Sequence, residues 1–199
     1  LLSVRHAFAH FGAETLLTSD PADVLAAEKL VLPGVGAFKD GMDGLARLGL
    51  IEPIRQKAAA GTPLLGICLG MQMLFDESEE FGLHKGLGLI PGRVVKIPDT
   101  DVDGHPQKVP HISWDPLYPG SGRMDFSGTA LAALKPGEEC YFIHSYEAKP
   151  VRDEDRLADT VYGGREICAA ASHGNVLGCQ FHPEKSGEVG LKIIEEFLK

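Results

Sequence analysis

The chain has 199 residues, 44% of them hydrophobic and 24% charged, with 24 glycines. That is enough for one well-buried domain with many tight turns and does not call for a second, so residues 1–199 are expected to form a single domain. A formal net charge of -9 with no basic run argues against a nucleic-acid binder, and no segment reaches the roughly 18 consecutive apolar residues of a membrane-crossing helix.

In chain order, apolar residues at Leu1, Val4, Ala7, Phe8 and Phe11 make a helical stripe that Gly12 closes in the C-cap role. Glu14 to Thr18 reads as a strand. Asp20-Pro21 reads as an N-cap followed by proline at the first helical position, opening a short helix to Ala27. Leu30 to Leu32 is a strand feeding the glycine loop Pro33-Gly34-Val35-Gly36, and Gly44 to Leu48 and Ile51 to Ala60 look helical. By itself the glycine loop is no more than a tight turn.

Next comes the most informative segment. Leu64 to Ile67 is short, apolar and preceded by the breaker pair Thr62-Pro63, as a buried parallel strand requires, while Met71, Met73, Leu74 and Phe75 suit a helix packing back on it. Cys68 falls at the join. Gly66 and Gly70 flank it in the G-x-C-x-G form of a nucleophile elbow, whose small neighbours permit a sharp turn and close approach of a substrate. A thiol there sits near a helix N-terminus, which favours thiolate. The acidic group Asp76-Glu77-Ser78-Glu79-Glu80 reads as a solvated helix end and the loop after it.

Alternation of helix and strand to this point implies a doubly wound α/β sheet. From Arg93 onward the strands Val94–Ile97, Cys140–Ile143, Asp159–Tyr162, Ile167–Ala171 and Val176–Phe181 crowd together, as antiparallel additions would, before a last helix from Gly187 to Leu198. Asp99 to Gln107 is a polar loop. His182 and Glu184 flank Pro183 where the last strand must end; in extended chain that spacing puts both side chains on one side, so the carboxylate can orient the imidazole and stabilise its charged form. Four cysteines without a C-x-x-C pair, and no secretory signal, point to reduced thiols and a cytoplasmic protein. Cys140, Cys168 and Cys179 lie in apolar runs and read as small buried hydrophobes, and His111 and His144 as satisfied structural histidines. No Cys-His cluster suggests a metal site.

These segments together resemble the class I (triad) glutamine amidotransferases along essentially the whole chain. Within that class PGVGAF, GICLGMQ, VPHISW, YFIHSYEA and GCQFHPEKS are similar to the glutaminase subunits that serve imidazole glycerol phosphate synthase. The resemblance implies a flavodoxin-like doubly wound mixed sheet and a Cys68, His182, Glu184 triad. It implies oxyanion donors from the Leu69 N–H and the Gly34-Val35-Gly36 loop, which needs to flip, and glutamine contacts from Gly70, Gln72, Ser145 and Tyr146, the last two through backbone groups. Neither cofactor nor metal is implied. Ammonia would pass to a (β/α)8-barrel partner in a heterodimer, with Trp114, Tyr141 and Lys185 at the interface, and the partner would form imidazole glycerol phosphate and aminoimidazole carboxamide ribotide in histidine biosynthesis.

Two features depart from that pattern. The usual G-W-N after His111-Ile112 reads Ser113-Trp114-Asp115, which bears on the interface rather than the triad. The family also leads with a strand and a glycine-containing loop, so roughly ten residues are expected to precede Leu1, enough for one strand and a turn. The remaining rivals are another triad amidotransferase, against which PGVGAF and VPHISW argue, and a catalytically silent binding module, against which the intact triad argues.

Overall fold

The computed structural model describes residues 1–120 and 122–199. Helices α1 (Leu2–Ala9) and α2 (Pro21–Ala26) precede strand β1 (Leu30–Gly34); α3 (Phe38–Arg47) and α4 (Ile51–Ala59) lead into β2 (Leu64–Cys68), which runs straight into the five-residue helix α5 (Leu69–Met73). There follow β3 (Phe75–Ser78), β4 (His84–Lys85), β5 (Ile90–Lys96), β6 (His111–Pro116), β7 (Tyr118–Pro119), β8 (Glu139–His144), β9 (Tyr146–Pro150), β10 (Arg156–Tyr162), β11 (Arg165–His173) and β12 (Val176–Cys179), then α6 (Gly187–Leu198).

Local signals account for several boundaries. The Asp20 carboxylate accepts from Ala22 N at 2.8 Å with Pro21 next to it, the cap and first-position proline that the sequence announced. Gly12, at φ 73°, takes the left-handed turn after α1.

The main sheet has the order β1-β2-β12-β11-β10-β7. Its β1, β2 and β12 run parallel, and β11, β10 and β7 are added antiparallel. A second sheet, β4-β3-β5-β9, and the ladder β6-β8 complete the fold. Buried at all five positions, β2 shows why its sequence is continuously apolar. Alternation sends Leu65 and Ile67 into a core with Phe8, Phe142, Phe181 and Ile194, and Leu64 into one with Phe38, Met71, Leu74 and Ile90 on the other face. Apolar layers on both faces are what a doubly wound sheet requires.

Helix α5 lies almost on the sheet because glycines let it. A Cβ on Gly70 would come within 1.7 Å of the Leu32 carbonyl oxygen, and one on Gly66 within 2.8 Å of Gly70 backbone. The elbow glycines therefore set how closely the turn after Cys68 can pack.

Three local expectations are corrected. Glu14 to Thr18 forms no strand: β1 pairs only with β2 in its sheet, the segment finds no ladder, and Leu16 and Leu17 stay exposed. The acidic group Asp76 to Glu80 is not a helix end; α5 stops at Met73 and Phe75 starts β3. Its carboxylates are used structurally, Asp76 accepting from Gly92 N at 2.8 Å and Glu80 from Phe38 N at 2.6 Å, where it caps α3 from another part of the chain. The last strand ends at Cys179 rather than Phe181, although Gln180 N still reaches Ala169 O at 2.9 Å.

Candidate active site

Cys68 is the last residue of β2 and the N-cap of α5, with φ 54° and ψ -112°. Among the described residues only Cys68 and Phe81 have positive φ without being glycine. A side chain held there costs of order 1–3 kcal/mol and persists only where its surroundings enforce it. The thiol is buried, donates towards Ile143 O at 3.9 Å, and lies 3.8 Å from the Gln180 amide nitrogen. Since α5 has only five residues, its dipole lends the sulfur less than the sequence suggested.

His182 is held from several sides. Its N–H donates to Tyr141 O at 3.0 Å, its carbonyl accepts from Ser186 Oγ at 2.7 Å, and that hydroxyl oxygen accepts from Tyr141 N at 3.0 Å. The ring Nδ1 stands 2.8 Å from Glu184 Oε1. Extended chain was expected through this pair; instead Pro183–Lys185 form a single 3-10 turn, which brings the carboxylate under the ring. Burial alone would lower the pKa of His182. Hydrogen bonds to Cys68 and Glu184, reinforced by their charges, outweigh it and push His182 up to about 9. At neutral pH His182 is therefore an imidazolium hydrogen-bonded to Cys68, the partner that a cysteine nucleophile requires.

The other three thiols differ. Burial pushes Cys140 and Cys168 up to about 12 and Cys179 well above the ordinary range, in line with the hydrophobe role expected of them.

Around Cys68 the expected companions converge. Gly34 is the register partner of Cys68 across β1–β2, and a Cβ on it would sit 3.1 Å from Leu69 Cβ, so the glycine loop and the first residue of α5 flank the sulfur together. Val35 is exposed, and Gly36 is at φ 97°. The Gln72 Nε2 group donates to Tyr146 O at 3.1 Å and to Gln180 Oε1 at 3.0 Å. Because the Tyr146 carbonyl can only accept, the amide orientation is fixed, both hydrogens are committed, and Gln72 presents only its oxygen to a ligand. An ammonium or amide N–H fits that oxygen. The Ser145 carbonyl accepts from Ile97 N at 2.9 Å, which braces the loop between β8 and β9.

Trp114 is 51% exposed, not a core residue. Its ring lies 5.9 Å from that of Tyr141, Lys185 Nζ lies 5.9 Å over the same tyrosine, and Tyr141 lies 6.4 Å from the His182 ring. All three expected interface residues thus form one patch adjoining the histidine.

Sequence reasoning missed Gln180, which joins Gln72 to the sulfur. The signal was present: a fully buried amide in the apolar run Val176 to Phe181 must find partners. His6 on α1 and its C-cap His10 stand at i,i+4 spacing, a metal-ligand spacing, but no third donor joins them among the described residues. Asp101, Asp103 and His105 do cluster, on an exposed loop where Asp101 Oδ1 accepts from Asp103 N at 2.9 Å and His105 N at 2.8 Å, an ordinary Asx turn. Among the described residues no helix is long and apolar enough to cross a membrane.

Comparison with known proteins agrees with this geometry. The family model for "Glutamine amidotransferase class-I" matches residues 3–199. The imidazole glycerol phosphate synthase subunit HisH 1 of Legionella pneumophila (strain Lens) is 53% identical over 199 residues, covering 100% of this chain and 93% of its own. The HisH subunit of Syntrophotalea carbinolica is 48% identical over 198 residues, covering 99% and 93%. Among solved structures, one described as a crystal structure of glutamine amidotransferase superposes with a TM-score of 0.71 over 100% of this chain and 94% of its own; at 18% identity that likeness speaks for the fold alone. The motif-based resemblance is borne out: the chain belongs to the class I glutamine amidotransferases, among the HisH subunits of imidazole glycerol phosphate synthase.

Proposed function

We propose that this chain, as one cytoplasmic domain, hydrolyses glutamine to glutamate and passes the ammonia to a (β/α)8-barrel partner, which forms imidazole glycerol phosphate and aminoimidazole carboxamide ribotide in histidine biosynthesis. The observation that carries the reading is Cys68 strained at the β2–α5 elbow beside a buried His182–Glu184 pair.

In this mechanism the Cys68 thiolate attacks the side-chain carbonyl carbon of glutamine. The oxyanion is met by the Leu69 N–H and by an N–H of the Gly34-Val35-Gly36 loop. His182 gives its proton to the departing ammonia, leaving a thioester. It then takes a proton from water, whose oxygen attacks the thioester to release glutamate and restore the thiolate. Glu184 keeps His182 oriented and stabilises its charge. Gln72, through its free oxygen, with Gly70 and the backbone of Ser145 and Tyr146, holds the substrate. Trp114, Tyr141 and Lys185 are the proposed contacts to the barrel, an aromatic and cationic patch of the kind that anchors interfaces. Ammonia freed into water would be protonated and lost, so a partner seated beside His182 makes chemical sense.

Because His182 keeps its proton up to about pH 9, kcat/KM for glutamine is expected to be level through neutral pH and to fall by about tenfold per pH unit above that point. In Glu184→Gln the limb should move to lower pH, since Glu184 is one of the groups that raise the histidine. A profile from pH 6 to 10.5 checks both.

The function itself is tested by glutamate release from the chain alone, with the barrel subunit, and with the barrel carrying its nucleotide ligand. Glycines at 34 and 36 allow a peptide to flip at low backbone cost. A loop that withholds its donor until the partner is loaded would slow turnover by about 2.7 to 4 kcal/mol, two to three orders of magnitude. Turnover is therefore expected to be near zero alone and highest with loaded partner. Equal turnover in all three would mean a preformed oxyanion hole.

A further inference from the structure

Two buried histidines stand outside the mechanism. His111 on β6 and His144 on β8 are register partners in the β6–β8 ladder, and His111 Nδ1 lies 3.0 Å from His144 Nε2. On its other side His111 Nε2 meets Ser113 Oγ at 2.9 Å and Asp115 Oδ2 at 2.5 Å, while Ser113 Oγ also donates to Asp115 Oδ2. His144 Nδ1 lies 2.8 Å from the Tyr146 carbonyl oxygen. The His111 ring is stacked between Phe142, at 5.1 Å between centroids, and Tyr162, at 4.0 Å. Aromatic faces fix its plane, so its nitrogens can point only along this line.

Hydrogen-bond directions follow without choice. A carbonyl oxygen only accepts, so His144 must donate from Nδ1. Burial keeps His144 neutral, its pKa pushed down to about 3, so its Nε2 must accept and His111 must donate from Nδ1. One proton then lies between His111 Nε2 and Asp115 Oδ2, because two lone pairs would otherwise face each other. From His111 through His144 to Tyr146 the bonds run one way. The same Tyr146 oxygen accepts from Gln72, which donates to Gln180, whose amide lies 3.8 Å from Cys68 Sγ.

We infer that His111 and His144, anchored by Ser113 and Asp115, are positioning residues of the glutamine site: a one-way hydrogen-bond relay that holds the Tyr146 carbonyl and, through it, the orientation of the Gln72 and Gln180 amides. This rests on the glutaminase reading above. A relay of this kind acts on substrate binding more than on the chemical step, because the His182–Glu184 and His182–Cys68 contacts do not run through it and it reaches the sulfur only by the long Gln180 contact. Without the His144 donor the carbonyl is held by Gln72 alone, and that amide is less firmly oriented towards a ligand.

The test compares variants in the complex of this chain with its barrel partner, following glutamate release over a range of glutamine concentrations. Asparagine can place its amide nitrogen where Nδ1 stood, whereas leucine cannot donate. His144→Leu is expected to raise KM for glutamine about tenfold, the worth of one buried hydrogen bond, with kcat within about threefold. His144→Asn should stay within about twofold of wild type in both constants. At the outer end, Asp115→Asn can still hydrogen-bond His111 Nε2, through its oxygen or its nitrogen, and should behave as wild type, while Asp115→Leu should raise KM. In nitrogen-15 spectra of the histidine rings, wild-type His144 should carry its proton on Nδ1, the less common tautomer of a free imidazole.

Wild-type KM in both leucine variants, equal damage from asparagine and leucine at position 144, or a His144 proton on Nε2 would each overturn the relay. Should His144→Leu fail to fold, the Asp115 pair and the ring spectrum still decide. A wild-type complex that releases no glutamate instead overturns the glutaminase function on which the relay rests.

Discussion

Cys68→Ala is expected to lower glutamine hydrolysis by at least about 10⁴-fold in the assembled complex, because no other group in the site can form the thioester. Synthesis by the barrel partner from added ammonium salt should remain within about twofold of wild type, since that reaction needs the complex and not the thiolate. Both rates can be measured on one preparation. Backbone strain separates chemistry from stability in the same experiment. Alanine at φ 54°, ψ -112° keeps the strain that Cys68 bears, whereas Cys68→Gly relieves it and should be as inactive as Cys68→Ala yet more stable by about 1 kcal/mol in denaturant. Alkylation gives an independent check: with Cys140 and Cys168 pushed up to about 12 and Cys179 well above the ordinary range, one equivalent of label at neutral pH should go to Cys68. Retained glutamine turnover in Cys68→Ala would end the assignment.

The chain reveals its central fold and its candidate site early because both depend on local patterns. A continuously apolar run from Leu64 to Ile67 can only be a strand covered on both faces, and a cysteine between glycines at its end has little structural reason to be there. The cap at Asp20 and the last helix from Gly187 to Leu198 follow from the same kind of local signal. Short strands of the second sheet were not legible. Phe75–Ser78 carries two acidic residues in four positions, and it is a strand because Ile90–Lys96 and His84–Lys85 offer it ladders and Gly92 N donates to the Asp76 carboxylate. Tertiary pairing overrides propensity there. Glu14 to Thr18 errs the other way, a strand-like pattern without a neighbour to pair with. In the site, Cys68 and the His182–Glu184 pair stand out in two motifs, but Gln180 and the His111–His144 chain could not be placed, since their partners lie on elements far apart in sequence. Spacing on one strand, as at His111, Ser113 and Asp115, shows that side chains share a face and does not show what they meet.

His182→Asn is the second large loss. It removes both the proton for ammonia and the base for water, and about 10³- to 10⁴-fold in kcat/KM is expected, approaching the effect of Cys68→Ala. Glu184→Gln should cost less, about 10²-fold, for a reason visible in the geometry. Glu184 Oε1 accepts from His182 Nδ1, while Oε2 is buried without a hydrogen-bond partner. Glutamine can keep its oxygen on the ring and so preserve the tautomer, but it loses the negative charge and buries an amide N–H₂ where nothing accepts from it. The ring stays in register, less basic than before. Part of the loss should therefore be recovered at lower pH, where a weaker base is still protonated, and none should be recovered in His182→Asn. Rates for the three proteins at pH 6.5 and pH 9 decide the matter: a Glu184→Gln deficit that does not narrow at the lower pH would show that the carboxylate orients the imidazole without holding its proton, and three equal rates would refute the triad.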